Sequence, residues 1–242
     1  MNISSAIFDR SAPDLESCPD ESLPEFAFIG RSNVGKSSLL NMLAGKEGLA
    51  RVSPTPGFTK LINMFTMNKT WRLVDLPGYG FAAGAKKDSE RFNEAVLDYL
   101  EHRRNLCCVF ALIDSSLPPQ AIDLEFLEWL TTHHRPYALV FTKTDTVTPE
   151  QVQANIAALT DRISAWFEKL PEILTCSATA QEGRRELLAV IEQSLAEQGV
   201  EQAEPEEPPP AKVNLPEDLP PPGWPVRATS TRKGRPNRAR PW

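Results

Sequence analysis

The chain has 242 residues, 41% of them hydrophobic, which suffices for one globular core of roughly 170 to 200 residues with extensions at its ends. The formal net charge is −6, and no apolar run approaches the roughly 20 residues of a membrane span. Without a signal-peptide pattern either, we expect a soluble, cytoplasmic protein that has no membrane partner. The four cysteines lack C-x-x-C spacing, which argues for reduced, mostly buried thiols and against a zinc site or disulfides.

Composition divides the chain into three regions. Residues 1–25 are a lead-in rich in proline, serine and acidic residues, residues 26–199 form the globular domain, and residues 200–242 form a tail. Eleven of the 22 prolines lie in residues 201–242, which predicts a disordered, proline-rich tail. Its end, residues 227–242, holds six basic side chains and no acidic one, so it either contacts a polyanion or merely improves solubility.

The first predicted strand, residues 26–29, leads through a glycine-containing loop into a helix. The loop sequence has the pattern G-x-x-x-x-G-K-S, and it consists of Gly30, Arg31, Ser32, Asn33, Val34, Gly35, Lys36, Ser37 and Ser38. A strand, such a loop and a helix in this order are typical of phosphate binding, where backbone N–H groups and the lysine bind the phosphates. The Ser37 hydroxyl would ligate Mg²⁺. The alternative is a surface loop with a solvated lysine.

Two further loops flank a predicted hairpin, one before it and one after it. Residues 51–59 contain two prolines and a glycine, and residues 61–65 and 71–74 predict two strands joined around Asn68. After the hairpin, Asp75, Leu76, Pro77 and Gly78 form a motif whose carboxylate could hold the water shell of Mg²⁺. The Gly78 N–H could contact a γ-phosphate, and Thr59 could complete the magnesium coordination. Two segments anchored on one phosphate would make a switch.

The rest of the domain alternates between strands and helices. Strands are predicted at residues 107–113, 137–141 and 173–176, and helices are predicted around residues 92–100 and at residues 123–132, 149–170 and 184–195. Together with the first strand and the hairpin, this predicts an α/β fold with a mostly parallel, doubly wound sheet of about six strands and flanking helices. Ligands bind beyond the carboxyl ends of the strands in such folds.

Two motifs at strand ends predict the base. In Thr142, Lys143, Thr144 and Asp145, the aspartate can accept from both the ring N–H and the exocyclic amino group of guanine, which adenine cannot satisfy. The Lys143 stem can lie against the base, and a backbone N–H at Ser177 or Ala178 can donate to the guanine carbonyl. The nucleotide is therefore predicted to be GTP. Thr142 replaces the asparagine of most such proteins with a hydroxyl.

These motifs, with Pro56-Gly57-Phe58-Thr59 and the run from Asp75 to Ala82, resemble the EngB GTPases of the Era-like (TrmE-Era-EngA-EngB-septin) superfamily over about residues 26–196. The resemblance implies a P-loop, Ras-like G domain and a bacterial GTPase that acts in large-subunit ribosome assembly, with a role in growth, division and septation. The sequence departs from the family pattern at Phe58, where the family tends to have a basic residue, and in the proline-rich tail, which lies outside the family core. Beyond the phosphate-binding loop, the nucleotide contacts that it implies are Gly57, Phe58, Thr59, Lys60, Leu61, Asp75, Leu76, Pro77, Gly78, Thr142, Lys143, Thr144, Asp145, Cys176, Ser177 and Ala178.

The hydrolysis machinery is less defined, and no catalytic residue is assigned. Tyr79 follows Gly78 where Ras-like enzymes have a water-orienting glutamine, which predicts slow intrinsic hydrolysis that a partner accelerates. No arginine is clearly placed as an arginine finger in cis, since Arg31 and Arg51 are equally well explained as solvated loop charges. Asn33 matches an asparagine that helps to hold K⁺ in related GTPases, or it only satisfies the loop backbone.

Three classes of function are compatible with these motifs. The preferred one is a monomeric GTP switch that binds the large ribosomal subunit or its assembly intermediate, through rRNA and ribosomal proteins, and does not bind DNA. The alternatives are a guanine-nucleotide sensor with negligible turnover and an ATP-dependent kinase or ATPase, which Asp145 disfavours. The basic pair Arg103 and Arg104 either contacts RNA phosphates or is merely solvated.

Overall fold

The computed structural model describes residues 1–50, 61–80 and 94–199, which lie in one compact unit, Met1–Pro205. The strands are β1 Ala6–Ala12, β2 Glu25–Gly30, β3 Ile62–Met67, β4 Trp71–Asp75, β5 Leu106–Asp114, β6 Tyr137–Thr142 and β7 Ile173–Thr175. The helices are α1 Lys36–Ala44, α2 Glu94–His102, α3 Ala121–Thr132, α4 Pro149–Ile163 and α5 Arg184–Glu197. None of these helices has the length and apolar character needed to cross a membrane.

Within these residues the strands form one sheet of order β1-β3-β4-β2-β5-β6-β7. All pairs from β4 to β7 are parallel, and only β3 runs antiparallel to its two neighbours. The apolar run of β5 is largely buried because helices cover both faces of the sheet. The predicted mostly parallel α/β sheet is thus confirmed, and the carboxyl ends of β2, β4, β5, β6 and β7 share one edge.

The N-terminal lead-in differs from the sequence prediction. Instead of starting at Phe26, the folded unit includes β1, which pairs with β3 and raises the strand number from about six to seven. The side chain of Asn68, in the β3–β4 turn, also accepts from the N–H groups of Ser4 and Ser5 at 2.8 and 3.2 Å. All five inner residues of β1 are exposed, so the period-two pattern of a half-buried strand is missing from its sequence.

The hairpin and the start of α4 agree with the sequence prediction. Asn68 and Lys69 have positive φ angles in the turn between β3 and β4. The Thr148 side chain accepts from the Gln151 N–H at 3.3 Å and caps α4. However, α4 ends at Ile163 and a short 3₁₀ helix, Ser164–Trp166, follows, so the predicted continuation to residue 170 is wrong. Residues 200–242 lie outside the described residues, and their disorder stays a prediction.

At the amino end of β2, a buried carboxylate is surrounded by donors. Glu25 is fully buried and accepts from Tyr99 Oη at 2.6 Å, from Arg103 Nη2 and Nε at 2.6 and 2.9 Å, and from Arg72 Nη1 at 3.4 Å. We call these four residues the Glu25 cluster. Since Arg103 is 4% exposed, its interpretation as a solvated or RNA-binding charge is wrong. The cluster fastens α2 to the edge of the sheet opposite the strand ends named above.

Candidate functional site

The loop after β2 turns tightly into α1. Gly35, the N-cap of α1, has a φ angle of +97°, and no side chain of the described residues caps the helix. A Cβ atom at Gly30 would lie 2.7 Å from the Leu112 carbonyl oxygen, so the loop must begin with glycine. The uncapped N–H groups at the start of α1 can therefore bind an anion, as the sequence predicts for phosphate.

An ion pair between Lys36 and Asp75 joins this loop to the end of β4. Lys36 Nζ contacts Asp75 Oδ1, and Asn63 Nδ2 donates to Asp75 Oδ2 at 3.4 Å. Both partners are nearly buried, at 8% and 3% exposed. The side chains predicted to serve the phosphates and the magnesium ion are thus adjacent, and each neutralises the charge of the other.

The segment after Asp75 lies directly against the phosphate-binding loop. Tyr79 N–H donates to the Gly30 carbonyl oxygen at 3.2 Å, and Ser32 N–H donates to the Tyr79 carbonyl oxygen at 3.3 Å. A Cβ atom at Gly78 would lie 2.9 Å from the Gly30 oxygen, so only glycine fits there. Leu76 is fully buried in the core and its N–H donates to the Phe28 carbonyl oxygen at 3.1 Å, so neither its side chain nor its N–H serves a ligand.

The motif after β6 supports the loop and the predicted base site. Thr142 Oγ1 donates to the Val34 carbonyl oxygen at 2.6 Å, a role as loop support that sequence reasoning missed. Lys143 Nζ donates to Asp114 Oδ2 at 2.6 Å, and two of its stem carbons would lie 3.9 Å from a Cβ atom at Gly35. Burial raises the pKa of Asp114, but the hydrogen bonds from Lys143 and Ser116 outweigh it and hold that pKa below its ordinary value. The Lys143 stem is therefore fixed beside the loop.

Asp145 is joined to the loop after β7. Ser177 Oγ donates to Asp145 Oδ1 at 2.6 Å and accepts from the Ala180 N–H at 2.9 Å. Ser177 is fully buried, whereas Asp145 is exposed, so one carboxylate oxygen is fixed and the other faces outward. An oriented, accessible carboxylate of this kind can accept from a guanine edge. Beside it, Ala178 and Ser38 line a cavity of about 660 Å³ that continues toward the end of α1.

The other predicted contacts have different surroundings. Cys176 is buried in the core, and burial raises its pKa to about 12, so its side chain does not serve the site. Leu61 is 40% exposed at the start of the hairpin. Asn33 is exposed with a φ angle of +66°. Gly57, Phe58, Thr59 and Lys60 lie outside the described residues.

A further buried cluster, absent from the sequence prediction, lies next to this site. Arg31 Nε lies 3.0 and 3.1 Å from the two oxygens of Asp123, and Tyr79 Oη donates to Asp123 Oδ1 at 3.0 Å. We call these three residues the Asp123 cluster. Burial raises the pKa of Asp123 despite both donors, and it raises the pKa of Tyr79 well above its ordinary value. Arg31 is therefore no solvated loop charge, and the signal for its partner was one acidic residue on the apolar face of α3.

Comparison with known proteins identifies the family. Residues 25–143 match the sequence model of a family described as 50S ribosome-binding GTPase. The chain is 47% identical over 192 residues to a probable GTP-binding protein EngB of Phocaeicola vulgatus, which covers 79% of this chain and 96% of that protein. For the same protein of Christiangramia forsetii, identity is 45% over 193 residues, covering 79% and 97%. The chain belongs to the EngB family. It is a GTP-binding protein and a GTPase.

Solved structures agree with the EngB assignment. A crystal structure of a probable GTP-binding protein engB has a TM-score of 0.58 and 26% identity, and the match covers 72% of this chain and 99% of that one. Era, solved with MgGDPNP and a fragment of 16S ribosomal RNA, shares the fold at a TM-score of 0.56 and 23% identity, over 77% of this chain and 59% of that one. The EngB relationship confirms the predicted guanine nucleotide, whereas the individual nucleotide contacts stay predictions.

Proposed function

We propose that this EngB GTPase is a slowly hydrolysing, magnesium-dependent switch for assembly of the large ribosomal subunit, and through it for normal growth and division. The observation that supports a switch is the ion pair between Lys36 and Asp75. It joins the phosphate-binding loop to the segment that precedes Gly78. A triphosphate competes with Asp75 for Lys36, so nucleotide binding must rearrange the contact between these two segments.

Magnesium fits the residues around this pair. The hydroxyl of Ser37 and the carboxylate of Asp75 are hard oxygen donors of the kind that Mg²⁺ prefers, and Asp75 lies beside the start of α1. Ser37 and Thr59 would hold the ion directly and Asp75 would hold it through water. When bound, the ion neutralises phosphate charge. Lys36, released from Asp75, then binds the terminal phosphates as a point charge.

Asp145 is proposed to select guanine. Its outward oxygen accepts from the guanine edge while Ser177 holds the other oxygen at 2.6 Å. An Asp145→Asn variant offers an amide donor instead, which suits the xanthine carbonyl. We expect this variant to prefer xanthosine triphosphate over GTP in a competition titration. If the variant still prefers GTP over xanthosine triphosphate as wild type does, Asp145 does not select the base.

Slow intrinsic hydrolysis is proposed from the state of Tyr79. Its hydroxyl is bonded to Asp123 and its ring packs against Phe126 at a centroid distance of 4.7 Å, so neither orients an attacking water. Acceleration would then come from the partner. Asn33 is proposed to help hold K⁺ against the phosphates, and equal turnover in K⁺ and Na⁺ would exclude that role.

The ribosomal partner is proposed from the description of the matching family. The test is sedimentation of the full chain with large ribosomal subunits and their precursors, in the presence of a non-hydrolysable GTP analogue, GDP or no nucleotide. We expect co-sedimentation with the GTP analogue and little with GDP, together with faster GTP turnover when subunits are added. Equal co-sedimentation in all three states would contradict a nucleotide-controlled switch.

A further inference from the structure

Of the Asp123 cluster, only Arg31 is among the residues expected to contact GTP, and the cluster joins three elements at the phosphate-binding loop. Arg31 belongs to that loop, Tyr79 directly follows Gly78, and Asp123 lies in the first turn of α3. Asp123 is only 1% exposed. A carboxylate this deeply buried needs its donors, because removing one leaves an uncompensated charge away from water. The cluster therefore holds Arg31 and Tyr79 in fixed positions.

Tyr79 transmits this constraint to Gly78 through the backbone. The N–H and the carbonyl oxygen of Tyr79 are both bonded to the loop, at Gly30 and Ser32. Its ring packs against Phe126, one turn further along α3. The side chain and the main chain of Tyr79 are thus held at the same time. Gly78, one peptide unit away, is fixed beside Gly30 by the same contacts.

We propose that Asp123 is a positioning residue that holds Gly78 against the phosphate-binding loop before nucleotide binds, and that it thereby favours GTP over GDP. This rests on the proposed function, in which the Gly78 N–H contacts the γ-phosphate. GTP meets a donor that is already ordered, whereas GDP has no γ-phosphate and makes no use of it. Loss of the cluster adds an ordering cost to GTP binding alone.

The main test variant is Tyr79→Phe. It keeps the ring against Phe126 and removes only the hydroxyl that donates to Asp123. Since a hydrogen bond to a charged group is lost, we expect affinity for a non-hydrolysable GTP analogue to fall about tenfold. Affinity for GDP should stay within about twofold of wild type. A second variant, Asp123→Asn, removes the charge that holds Arg31 and should shift the ratio of the two affinities in the same direction.

The matched control is Tyr137→Phe. The Tyr137 hydroxyl is bonded to Thr131 Oγ1 at 3.1 Å, so this variant also removes a tyrosine contact with α3, but at the far end of the helix. We expect it to leave the affinity ratio unchanged. Fluorescence titration with labelled nucleotides gives the ratio, and urea unfolding of each variant separates it from general destabilisation.

These measurements distinguish failure of the positioning role from failure of the proposed function. If wild type binds both nucleotides and both test variants keep its affinity ratio, the positioning role is wrong. Tighter binding of the GTP analogue by either variant would also overturn it, because that result means GTP must break the cluster. If wild type binds neither nucleotide, the proposed function itself fails.

Discussion

A buried carboxylate lies at each end of the parallel strands, and the two carboxylates differ in their hydrogen-bond donors. Glu25, at the amino end of β2, is surrounded by Tyr99 and Arg103, with Arg72 at a longer distance, and none of these donors is assigned to a ligand. Asp75, at the carboxyl end of the neighbouring strand β4, depends mainly on Lys36, which the proposed function assigns to phosphate. The first arrangement is complete without a ligand. The second contains a partner that a ligand can remove.

This difference separates a structural charge from a functional one. A buried charge with several fixed donors stabilises one arrangement of the chain, whereas a buried charge with one exchangeable donor allows two. Substitutions in the Glu25 cluster should therefore lower the free energy of unfolding without changing nucleotide affinity. Changes at Lys36 should alter both.

The largest effect is expected for Glu25→Gln. The variant removes the buried charge that both arginines share and leaves them longer, more exposed carboxylate contacts at 3.4 to 3.9 Å, so we expect a loss of about 3 kcal/mol in the free energy of unfolding. Nucleotide affinity should stay within about twofold of wild type. Urea unfolding and nucleotide titration measure the two quantities. The control is Asp98→Asn, which breaks an exposed pair with His102 and should change stability by less than about 0.5 kcal/mol.

Next is Lys36→Met, for which we expect guanine-nucleotide affinity to fall about a hundredfold because the charge-assisted contacts to phosphate are lost. The variant also leaves Asp75 buried without its cation and should be less stable than wild type. Adding Asp75→Asn should restore stability but not nucleotide binding. Restored binding in the double variant would show that Lys36 serves Asp75 rather than the phosphates.

A smaller effect is expected from pH at Asp123. Its pKa is raised by burial, despite Arg31 and Tyr79, and Asp114 adds to the rise. Stability from the protonated group is complete below the ordinary value of 3.8 and is lost as pH rises through the folded pKa. Wild type should therefore gain stability relative to Asp123→Asn as pH falls from 7 toward 4.5, by less than the loss in Glu25→Gln. A constant difference in urea unfolding would contradict this assignment.

The smallest response to nucleotide is expected at Cys18, which lies beside the Glu25 cluster. Burial raises the pKa of its thiol to about 11, with Arg103 lowering it and Glu25 raising it further. Alkylation at pH 8 should then be about a hundredfold slower than for an ordinary cysteine. Adding GTP or GDP should change this rate by less than about twofold if the cluster is independent of nucleotide. Mass spectrometry of the alkylated peptides measures the alkylation rate of Cys18.

The sequence predicted best where a local pattern carries the information. The phosphate-binding loop, the hairpin and the Thr148 cap each depend on neighbouring residues, and the structure agrees with them. Ion pairs between residues that are far apart in the sequence were not predicted. Arg103 meets Glu25 across 78 positions and Arg31 meets Asp123 across 92, so neither charge could be recognised as buried. Strand β1 was missed because its exposed residues carry no core pattern.

The position of β1 also limits how another chain could pair with the sheet beside residues 51–60. Strand β3 directly follows residues 51–60, and its outer main-chain groups are already bonded to β1. A partner therefore cannot extend the sheet at β3. The outermost main chain on this side belongs to β1, whose register shifts between Phe8 and Arg10 and interrupts a regular ladder. Strand addition on this side of the sheet is thus blocked at β3 by the chain itself and disfavoured at β1 by the register shift.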